Sequence, residues 1–66
     1  MSNVRNFIEG VAEEIIKQDI GAQKQFAYVE KMFGFFKSQL GELTLNDAYR
    51  KVMSECDKQL RPDLYK

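Results

Sequence analysis

Few side chains of this chain can move protons, hold a metal or attack an electrophile. There is no histidine, so the usual base near neutral pH and the commonest transition-metal ligand are both missing. The single cysteine, Cys56, cannot supply the cluster of nitrogen and sulfur donors that such ions require. Its neighbours Val52, Met53 and Leu60 put it on an apolar stripe, where a thiol packs as a small hydrophobe instead of serving as a nucleophile. Glu9, Glu13 and Glu14 are close enough along the chain for paired acid and base work. Nothing convergent accompanies them, however, and they read more simply as a solvated helix face. Gly10, Gly21, Gly34 and Gly41 are isolated and form no phosphate-cradling loop. The expectation is a non-enzymatic protein with no catalytic residue, no cofactor, no metal and no small-molecule substrate.

The chemistry that remains is association. In the middle third of the chain Phe26, Val29, Met32, Phe33, Phe36 and Leu40 recur at helical spacing, and Tyr28 and Phe35 fall beyond the edge of their stripe. One packed neighbour covers a stripe of little more than about 100°, whereas this one spans on the order of 180°. The surplus reads as an interface, because aromatic residues and methionine are enriched where proteins meet. Tyr28, Met32 and Phe35 are the candidate contact residues. The competing reading makes this the central helix of a small bundle, buried on both sides. A second copy is the expected occupant, since twofold dimers are the commonest oligomers and small domains gain most from a shared core; another protein partner is the further option. Ala27, Gly34 and Ser38 also share a side of the helix, but small residues in a soluble helix more often mark a tolerated defect than a seam.

The elements that hold these residues are three predicted helices. The first spans about 3–20, from Val4, Phe7, Ile8, Val11, Ala12, Ile15 and Ile16 at steps of three and four, with Ser2 or Asn3 as cap and Gly21 as stop. The second spans about 22–40, ends at Gly41, and forms an antiparallel hairpin with the first. The third spans about 45–60. Thr44 is its cap, Asp47 faces its positive end, Leu43 is a staple, and Pro62 follows its last turn. The tail, 61–66, is too short for an element, though Leu64 and Tyr65 could fold back on the core. The fold class is thus all-α, a single three-helix domain built as a helical hairpin plus a third helix.

A chain of 66 residues, 44% hydrophobic and 30% charged, suits one small core and not two. Ten basic residues cancel ten acidic ones, so no global field recruits nucleic acid or an anionic membrane. A small helix-turn-helix built from the second and third helices is the alternative function, with Arg50, Lys51 and Lys58 reaching phosphates or bases. It is disfavoured by Asp47, Glu55 and Asp57 on the same helix. The absence of a signal core, of a membrane-length apolar run and of a cysteine pair implies a cytoplasmic setting.

Overall fold

The computed structural model describes the backbone of residues 3–65 and the side chains of residues 3–63. The chain is all-α, with helices α1 (Asn3–Lys17), α2 (Ala22–Phe36) and α3 (Leu45–Leu60). Short 3-10 turns follow α2 at Lys37–Gln39 and α3 at Pro62–Tyr65. Among the described residues there is no strand. Phe7 meets both Phe33 and Phe36 edge-on, with ring centroids 6.5 and 5.9 Å apart. The start of α1 therefore lies beside the end of α2, and the first two helices run antiparallel.

α1 stops earlier than its apolar spacing suggests, and the residue that stops it is not Gly21. The amide of Ile20 donates to the Ile15 carbonyl (3.0 Å) and that of Asp19 to Ile16 (3.2 Å), the pair of bonds that closes a helix through one left-handed residue. That residue is Asp19, at φ 54°. Gly21 instead sits in extended conformation as the N-cap of α2. Gln25 then pins the turn, its side-chain amide donating to the Ile20 carbonyl at 2.9 Å. Asn3, where the described residues begin, is already helical and so is not the cap; Ser2 lies outside the described residues.

α2 is also shorter than expected. Past Phe36 the backbone tightens into the 3-10 turn and Leu40 is carried inward, almost wholly buried. Gly41 takes the left-handed geometry that follows, at φ 62°, where a β-carbon is disfavoured. α3 matches its expected bounds, and its cap forms as the residue types dictate: the Asp47 amide donates to Thr44 Oγ1 at 3.2 Å. The tail makes one 3-10 turn instead of remaining without an element. The fold-back of Leu64 and Tyr65 concerns side chains outside the described set.

The core is formed by Phe7, Ile8, Val11, Ala12 and Ile15 of α1, Val29 and Phe33 of α2, Leu40, and Ala48 and Val52 of α3. α1 thus supplies half of it and α2 little. The common partner is α3, which packs closely on α1 and also on α2, whereas α1 and α2 touch each other only sparsely. Across the α1–α3 seam the Cys56 thiol donates to the Ala12 carbonyl at 3.8 Å. Leu60 is 64% exposed, so the apolar stripe of α3 is covered no further than Cys56. The molecule is flat, 33 × 28 × 17 Å. Its accessible surface, 4996 Å², exceeds the roughly 4,300 Å² typical of a monomeric protein of 7.7 kDa.

Candidate functional site: an apolar groove between the first two helices

Because α1 and α2 both lean on α3, they part on the side away from it, leaving a groove of about 370 Å³. Its α1 wall carries Asn3, Asn6, Phe7, Gly10, Val11 and Glu14; its α2 wall carries Tyr28, Met32 and Phe36, with Gln39 and Leu40 at one end. Gly10 leaves bare backbone on this wall, since a β-carbon built there would meet nothing within 4 Å. The floor is therefore apolar, and polar groups stand at its rim.

Of the three interface candidates, Tyr28 and Met32 are half-buried, packed on the edge of the core and lining the groove. Phe35 is 65% exposed. It follows Met32 by three residues and Tyr28 by seven, so all three share one stripe of α2. Phe36, beside them, remains 41% exposed even while it touches Phe7. On the other edge of α2, Phe26 packs edge-on against Tyr49 at 5.1 Å and is still 40% exposed. Helical spacing puts Phe26 and Phe36 on the same stripe as the buried Val29 and Phe33, and it does not mark the α1 side of the groove. Gly10 and Asn6 on the outer side of an amphipathic helix were the signal, and it was a faint one.

Tyr28 and Glu14 face each other across the groove. Burial first, and the carboxylate of Glu14 second, push the Tyr28 phenol above its ordinary value, so the hydroxyl keeps its proton and remains a hydrogen-bond donor. Cys56 lies elsewhere, on the α1–α3 seam. Burial first and Glu55 second raise its thiol, which suppresses the thiolate a nucleophile needs. Glu9 pairs with Arg5 at 3.2 Å along the surface of α1. Glu9, Glu13 and Glu14 do not converge on a pocket together, since only Glu14 reaches the groove. Among the described residues no group of acidic, cysteine or histidine side chains is placed to hold a metal.

Arg50, Lys51 and Lys58 are all exposed on the outer side of α3. Asp47 and Ser54 share a shallow depression with Arg50 and Lys51, so an incoming phosphate would meet a carboxylate beside the two cations. Residues 37–44 separate α2 from α3 and include the 3-10 turn, longer than the three- or four-residue turn of a helix-turn-helix. Ala27, Gly34 and Ser38 are exposed, and no atom approaches the bare backbone of Gly34.

No helix among the described residues is long and apolar enough to cross a membrane. Comparison with known proteins finds no matching family model, no similar curated protein and no similar solved structure.

Proposed function

We propose that this chain is a non-enzymatic interaction module, an adaptor, inhibitor or regulator that works by presenting the aromatic face of α2 and the groove beside it to a protein partner. One observation carries the reading: Phe35 stands 65% exposed on the same stripe as Tyr28 and Met32, next to an open apolar groove. A contiguous apolar surface of this kind, rimmed by polar residues, is characteristic of a binding face, whereas scattered exposed hydrophobics are ordinary. Phe35 would be the protruding anchor. Tyr28 and Met32 would supply the adaptable surface around it.

Charge reversal at two neighbouring aromatics tests the idea. Phe35→Glu is expected to retain helix content by circular dichroism and to lose self-association or partner capture at least tenfold. Phe33→Glu, which buries an unpaired charge in the core, is expected to unfold the chain. Equal collapse of both variants would make Phe35 part of the core and remove the proposal.

A further inference from the structure

We infer that the groove is closed by a second copy of this chain, with the twofold axis running along the groove so that each α1 lies antiparallel over the partner's α2. The inference rests on the interaction reading above and adds the identity and orientation of the occupant. Its basis is the distribution of charge on the two walls. By helical spacing from Gly10 and Tyr28, which line the groove, the outer flank of α1 carries Glu13 and Glu14 with Lys17, and the corresponding flank of α2 carries Lys24 and Lys31; Glu14 is half-buried and the other four are exposed.

Their heights follow from the hairpin. Phe7 lies level with Phe33 and Phe36, and Glu14 lies opposite Tyr28, so the antiparallel hairpin puts Glu13 and Glu14 level with Tyr28. Lys24 and Lys31 are about one helical turn to either side of that level, roughly 5 to 6 Å away along the axis. An axis parallel to the groove keeps each residue at its own height and exchanges the two walls. The acidic flank of each copy then faces the basic flank of the other. An axis across the groove would instead lay α1 on its own image and α2 on its own, setting an acidic flank against an acidic one and a basic flank against a basic one, which is repulsive. Lys17 is the one misplaced charge in the favoured arrangement, since it falls beside the partner's Lys24.

Each copy would bring an exposed Phe35 and a bare Gly10 to the contact, an aromatic and a place where backbone can be approached.

The test is a charge exchange followed by sedimentation equilibrium at low salt, with circular dichroism to verify folding. The wild-type chain is expected to have twice the monomer mass. Glu13→Lys/Glu14→Lys and Lys24→Glu/Lys31→Glu should each weaken self-association at least tenfold. An equimolar mixture of the two should recover a one-to-one heterodimer, and Lys17→Glu should tighten the wild-type dimer. A wild-type chain that stays monomeric at every concentration overturns the inference but not the interaction reading, which Phe35-dependent capture of another protein still tests. A dimer broken by Phe35→Glu yet indifferent to the charge exchange overturns the orientation and keeps the face. A dimer indifferent to both overturns both.

Discussion

Asp19 occupies a backbone conformation that glycine tolerates without cost, two residues before the glycine that the sequence offers for the purpose. Its φ of 54° is strained for a residue with a β-carbon, although aspartate suffers less than most. Asp19→Gly is therefore expected to raise stability by about 0.5–1 kcal/mol, read as a higher denaturant midpoint with an unchanged slope. Cys56 makes a second prediction, in alkali. Its native thiol lies above the ordinary value of 9.0 because of burial and Glu55, so above that pH the unfolded chain ionises while the folded one keeps its proton. The stabilisation is complete below pH 9 and declines as pH rises from there toward the native value. Urea midpoints at pH 8 and pH 10 should show the decline, and Cys56→Ala should reduce it.

For the elements, α3 is the most completely specified by local chemistry. Thr44 accepts the Asp47 amide at 3.2 Å, Asp47 sits at the positive end, and Pro62 follows the last turn. Thr44→Ala is expected to cost about 1 kcal/mol, with the loss seen as faster amide exchange in the first turn of α3. This helix was legible in the sequence because each boundary is set by a side chain within a few positions of it. The ends of α1 and α2 were less so. α1 closes on bonds from Asp19 and Ile20 to Ile16 and Ile15, a backbone arrangement that demands a left-handed residue two positions before the available glycine. α2 gives way to the 3-10 turn because Leu40 must turn inward to the core, a demand of packing that periodicity does not record. The stripe of Phe26, Val29, Met32, Phe33 and Phe36 was correctly placed on one helix, but which of these residues would be covered depended on where the other helices lie.

At the level of the whole molecule, that dependence resolves into the position of α3. The most apolar helix by sequence, α2, was the natural candidate for the centre of a bundle, yet α3 is the element that both others pack against. Its one apolar stripe, with Ala48 and Val52 fully buried, suffices to hold α1 and α2 without drawing them together. The groove is the result, and nothing in the residues of α1 alone announces it. A further consequence concerns the order in which the chain is made. α1 is made before α2 and α3 and supplies half of the core, and the surface it needs belongs to α3, about thirty residues later in the chain. Until that segment emerges the nascent hairpin has only sparse contacts to keep its phenylalanines and isoleucines from water, and in this interval of synthesis it would be open to chaperones and to neighbouring nascent chains.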